Sequence, residues 1–125
     1  SQSSKPIVTI KNTTNDSSSP SIIFQKDRGA AAENSDGIGS IHFIGENDAE
    51  QYTPYGNISV LALEVDDGDE AGKMFLSVAE SNGTTSQLTA GLLIEGSDNT
   101  TDGEVNVTIA AGAASVTTIA GNLVY

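Results

Sequence analysis

Two of the strand-like runs in this sequence are apolar on both sides, and that limits what a single chain can build. Between positions 58 and 65, Leu61, Leu63 and Val65 alternate with Ile58, Val60 and Ala62; between 74 and 79, Met74, Leu76 and Val78 alternate with Phe75 and Ala79. Alternate residues of a strand point to opposite faces of a sheet, so one covering layer cannot bury both sets. The chain has little material for a second layer. Leu, Ile, Val and Phe make up 29 of its 125 residues, about 23% and only slightly above the level below which acidic chains stay disordered. We therefore expect further copies of the chain to cover the second face.

The rest of the sequence is polar and turn-rich, with 49 residues that are Gly, Ser, Thr or Asn. Ile, Val and Thr outnumber Leu, Met, Gln, Lys and Arg, which favours strands joined by polar turns. Apolar or β-branched runs predict eight strands, at 7–10, 22–25, 38–44, 58–65, 73–79, 88–94, 105–109 and 115–125. Clusters of Asn, Asp, Gly and Ser punctuate them, notably at 12–20, 45–48, 66–70, 81–83 and 96–99. The one stretch with helical character, 28–33, is about one turn long and reads as a loop. The fold class expected is all-β, with short antiparallel strands.

Five Lys and Arg stand against seventeen Asp and Glu, for a net charge of −12. Such a surface repels phosphate backbones and anionic lipid, so neither nucleic acid nor membrane is an expected partner. There is no cysteine, hence no disulfide, thiolate zinc site or thiol nucleophile. The sequence opens on Ser1-Gln2-Ser3-Ser4 and stops at Leu123-Val124-Tyr125 in strand-like sequence. It reads as a piece of a longer protein.

An ordered set of residues in the middle of the chain resembles a module of tail fibre and tailspike proteins of tailed bacteriophages, in particular those of marine cyanobacteria. The matching positions are Arg28, Gly29, Asp36, Ile38, Gly39, Ile41, Phe43, Gly45, Asn47, Ile58, Gly68, Gly72, Met74, Leu76 and Val78, followed by the Asn82-Gly83 turn. They span about 60 residues. Gly39, Gly45, Gly68 and Gly72 suit positive φ or close chain approach, while Ile41 and Phe43 fill one strand face. The tail, from Val105 through Ile119, is similar to the repetitive segments that follow the module. The insert at 50–55 is longer than the module's loop.

This resemblance implies an elongated, intertwined homotrimer with a triple β-helix-like C-terminal part. It also implies three segments: an N-terminal strand and polar linker at 1–20, the fibre module at 21–100, and a repetitive strand segment at 101–125. The partners it implies are the chain's own copies, the rest of the fibre and a host surface receptor or glycan, with a location in the virion. The function expected is structural support of host attachment, with no enzymatic activity. Alternatives are a receptor- or glycan-binding module, a polysaccharide depolymerase, or a monomeric adhesin repeat of a bacterial surface protein.

Candidate chemistry was weighed residue by residue. A serine triad would need His42 as base, but His42 sits in a strand opposite in direction to Ile41 and Phe43, and Gly39-Ser40-Ile41 does not complete a nucleophile elbow. The carboxylates Asp66, Asp67, Asp69 and Glu70 crowd one turn without an aromatic platform, and the chain has no Trp. No cofactor is expected. For calcium, Asp98 to Gly103 opens like an EF-hand loop but places Ile109 where a bidentate Glu is needed, which leaves Asp66, Asp67 and Asp69 as the metal candidates. Tyr52 and Tyr55, flanking Pro54 in the insert, are the aromatic pair suited to stacking on a sugar or receptor loop. Six glycosylation sequons occur, at Asn12, Asn15, Asn57, Asn82, Asn99 and Asn106; a phage product made in bacteria would leave them unmodified.

Overall fold

The computed structural model describes residues 5–97, 103–110 and 112–124. It contains five strands, β1 (Gly37–Glu46), β2 (Tyr52–Glu64), β3 (Ala71–Ser81), β4 (Ser86–Gly96) and β5 (Val105–Ile109), and no helix among the described residues. All pairs are antiparallel, and the strand order in the single sheet is β1-β2-β3-β4-β5. This is an open meander in which every strand lies beside its neighbours in sequence.

The turns follow from their side chains. In the β1–β2 turn, Asn47 Oδ1 accepts hydrogen bonds from the backbone N–H groups of Ala49 and Gln51 at 3.0 and 2.9 Å. An Asn side chain imitates a backbone turn in this way. Asn82 repeats the device between β3 and β4, accepting from the N–H groups of Thr84 and Thr85 at 3.0 and 2.9 Å. The acidic turn between β2 and β3 closes with a 2.9 Å bond from Asp69 N–H to Asp66 O, and Gly68 within it adopts φ of +85°. That left-handed value strains any residue with a Cβ.

Three of the eight predicted strands do not form. Residues 7–10, 22–25 and 115–124 are without strand pairing, while residue 125, the end of the last run, lies outside the described residues. Their composition suits a strand, but no second strand of the same chain lies alongside, and a ladder needs one. The hairpin end also differs from expectation. Strand β2 begins at Tyr52, six residues before the predicted start, so the second half of the 50–55 insert is a strand arm and not a loop. Pro54 is opposite Ile44, next to a bulge that places Tyr55 between the pairs Phe43 with Gly56 and Ile44 with Pro54. Proline, lacking an N–H, is tolerated at such an interruption.

Cross-strand partners share a face, so the register sorts the sheet into two surfaces. On one, Ile41, Ile58, Leu76, Leu92 and Ile109 form a row across all five strands. Beside it runs Gly39, Val60, Met74, Ile94 and Val107, and on the other side Phe43, Gly56, Val78 and Thr89. The opposite surface carries Ser40, Ser59, Phe75, Leu93 and Thr108 in one row, and His42, Asn57, Ser77 and Ala90 in the next. No hydrophobic side chain among the described residues is buried.

Candidate functional site

The apolar face is the most distinctive surface of the molecule. Along β3 the exposed positions are Met74, Leu76 and Val78, while Lys73, Phe75, Ser77 and Ala79 on the polar side are half-buried. Leu76 retains 40% and Val78 61% of its accessible surface. A hydrophobic row in the middle of a sheet would ordinarily be the best covered part of a domain. Phe43, Tyr55, Ile58, Leu76, Val78 and Leu92 line a shallow hollow of ≈ 520 Å³ on this side. Knobs and notches alternate across it: Phe43 stands over Gly56, and Gly91 leaves a gap beside Leu92.

The segment around Phe24 touches this face. Phe24 presses on Gly39 so closely that a Cβ on residue 39 would lie 2.7 Å from Phe24 Cβ. Any larger residue there would push the phenyl ring away. Two residues on, the segment is anchored by charge: Lys26 Nζ lies 3.6 Å from Asp36 Oδ1, and Arg28 Nη1 lies 3.3 Å from Asp36 Oδ2 and 3.2 Å from Glu33 Oε2. The Glu33 N–H also donates to Asp36 Oδ2 at 3.1 Å. That backbone bond, followed by the Arg28 and Lys26 charges, holds the Asp36 carboxyl below its ordinary value. The resemblance singled out Arg28, Asp36 and Gly39 as separate positions; folding joins them into a clasp on the N-terminal segment.

A second acidic anchor sits at the end of β2. Glu64 accepts from the backbone N–H of Val65 at 2.7 Å, from the Asn34 amide at 3.0 Å and from Asp66 N–H at 3.2 Å. These bonds, the Val65 one foremost, lower its pKa. It ties residue 34 to the strand end, where Ser35 N–H also bonds Ala62 O at 2.7 Å.

The sequence-derived site residues are scattered. Tyr52 is 81% exposed and faces Glu46 across the hairpin; the register places it on the side of the sheet opposite Tyr55. Tyr55 lies against Gly45, with Cε2 3.2 Å from where a Cβ would be, and its hydroxyl donates to Glu46 O at 3.3 Å. The two rings do not form one platform. Asp66, Asp67 and Asp69 are all exposed in the β2–β3 turn, and no group of three or more His, Asp or Glu side chains able to hold a metal ion occurs among the described residues. Residues 98–102, which carry most of the EF-hand-like stretch and the Asn99 sequon, lie outside the described residues.

His42 points to the polar face, as its alternation with Ile41 and Phe43 predicts, and is exposed. Sequence reasoning missed its partner: Ser40 Oγ is 2.9 Å from His42 Nε2. The i, i+2 spacing on a strand was the signal, since it puts both side chains on one face. No carboxylate approaches this pair among the hydrogen bonds formed, so it lacks the third member that orients a catalytic imidazole. On the same face Lys73 bonds Glu95 at 2.7 Å and passes 5.6 Å from the Phe75 ring centre. No helix among the described residues is long and apolar enough to cross a membrane. Comparison of the chain with models of protein families, with curated proteins and with solved structures gives no match.

Proposed function

We propose that the chain is a structural segment of a bacteriophage tail fibre, which supports host attachment as an elongated, intertwined homotrimer and performs no chemistry of its own. The observation that carries this reading is the absence of any buried hydrophobic side chain among the described residues. A 125-residue domain standing alone would normally bury well over half the surface of its unfolded chain. The strand-like runs at 7–10, 22–25 and 116–124, which form no strand in one copy, support the same reading, because strands from other copies would give them a ladder. On this view the tail from Val105 onward belongs to a triple β-helix-like part, and the rest of the fibre and the host surface are the outer partners.

Light scattering at micromolar concentration tests the proposal. A mass of three chains is expected, and a monomer would remove the reading in favour of a β-sandwich-like adhesin repeat. One observation favours a second reading, a receptor- or glycan-binding module: the open ring of Tyr52. In that case Tyr52→Ser abolishes adsorption of the intact fibre to cells while leaving the melting temperature unchanged. A depolymerase would release reducing ends from host polysaccharide, which a structural segment does not.

A further inference from the structure

Which surface the copies use can be argued further, on the footing that the chain assembles with itself. We infer that copies meet through the face carrying Ile41, Ile58, Leu76, Leu92 and Ile109, and leave the face of Ser40, His42 and Asn57 outward.

Three features of this face select a second copy of the chain as the occupant. The first is charge. Each copy carries −12, so two copies repel unless they meet where neither presents a carboxylate. The three rows built on Ile41, Gly39 and Phe43 contain no charged residue across β1 to β5. The first charge beyond them, Glu80, is occupied by Gln87 Nε2 at 2.7 Å and Thr89 Oγ1 at 3.3 Å. A basic protein would instead be drawn to the acidic turns, and an acidic one would gain nothing from a neutral apolar patch.

The second feature is area. Five strands about 4.8 Å apart, with rows ~6.8 Å apart, make a patch of roughly 20 by 20 Å, or about 400 Å² per copy before corrugation. Two corrugated patches together approach the ~1,000 Å² total of a specific interface. The third feature is relief. Leu76 projects beside the exposed backbone of Gly91, and Phe43, lying over Gly56, adds a second knob, so one surface holds both projections and a recess of the kind a contact between copies needs. The opposite face also carries apolar residues, among them Leu61, Phe75 and Leu93, but the Lys73–Glu95 ion pair crosses it.

The chain has no cysteine, which permits a clean trapping experiment on the full chain. Single substitutions Ile58→Cys and Leu76→Cys on the apolar side, and Ser59→Cys and Ser77→Cys on the polar side, are treated with a short bis-maleimide. The expected result is covalent dimers on a denaturing gel from the first pair, the limit for one thiol per chain, and single chains from the second. Dimers from the polar-side variants alone, or equal yields from both sides, overturn the inference. A companion variant, Leu76→Glu, is expected to reduce the solution mass to one chain; an unchanged mass with a native circular dichroism spectrum also overturns it. If Leu76→Glu fails to fold, the trapping result decides. Unmodified protein that is monomeric by light scattering sinks the assembly reading itself, whereas a dimer trapped through the polar side sinks only the choice of face.

Discussion

Along β3 the two faces of this sheet invert the usual arrangement. The side carrying Met74, Leu76 and Val78 is the more open to solvent, and the side carrying Lys73, Phe75 and Ser77 is the better covered. In a self-sufficient domain the aliphatic residues would be inside and the serines at the surface. This pattern is what the proposed assembly of copies would require. The five-strand ladder closes within one copy, but its hydrophobic side chains are not buried there.

The largest effects should come from breaking the apolar side. Phe43→Ala and Leu76→Ala are each expected to cost about 2 to 5 kcal/mol when the face is covered by other copies. In a dilute single chain the same changes remove contacts from half-open side chains and should cost under ~1 kcal/mol. Urea titrations across a hundredfold range of protein concentration distinguish the two regimes; a cost independent of concentration would mean that the face is not an interface.

Next in size is the clasp at the edge of that face. Gly39→Ala forces Phe24 out of its seat, and overpacking of this kind costs roughly 1 to 3 kcal/mol. Trypsin should then cut after Lys26 and Arg28 sooner than in the unaltered chain. Combining Gly39→Ala with Phe24→Ala should cost less than the sum of the two, because each abolishes the same contact. Additive losses would show that ring and glycine do not depend on each other.

Acid sharpens the comparison from another side. Asp36 and Glu64 have folded-state pKa values lowered beneath their ordinary 3.8 and 4.5. The unfolded chain therefore binds protons first, and the stability these two groups add is full above pH ~4.5 and lost as pH falls through their lower folded values. A melting series from pH 6 to 2 should show that loss, and Asp36→Asn should flatten part of it. The smallest effect belongs to the polar side: His42→Ala should cost under ~1 kcal/mol, since it removes one exposed hydrogen bond to Ser40. A collapse of the melt in this variant would reverse our ranking of the faces.

The five central strands were legible because each combines alternation with an adjacent turn whose side chain builds it, as Asn47 and Asn82 do. The sidedness of His42 was legible for the same reason. The strand-like runs at 7–10, 22–25 and 115–124 were misread because propensity describes a residue's fit to a sheet and says nothing of whether a neighbouring strand exists. Tyr52 and Tyr55 looked like a pair in sequence, but they stand three residues apart on one strand, an odd spacing that sends them to different sides. The contact of Phe24 with Gly39 spans fifteen residues, and no periodicity carries that information.

The strand order β1-β2-β3-β4-β5 has a kinetic consequence. Every pairing closes a short hairpin, so loop closure is cheap at each step and the sheet can grow by adding one strand at a time. Nothing in its hydrogen-bond ladder has to wait for a second molecule. If copies meet as proposed, their encounter is a docking step between preformed surfaces, with a rate set by concentration. On the same footing, each newly made copy would display its aliphatic rows to the solution until it docks, and a high local chain concentration would shorten the exposure.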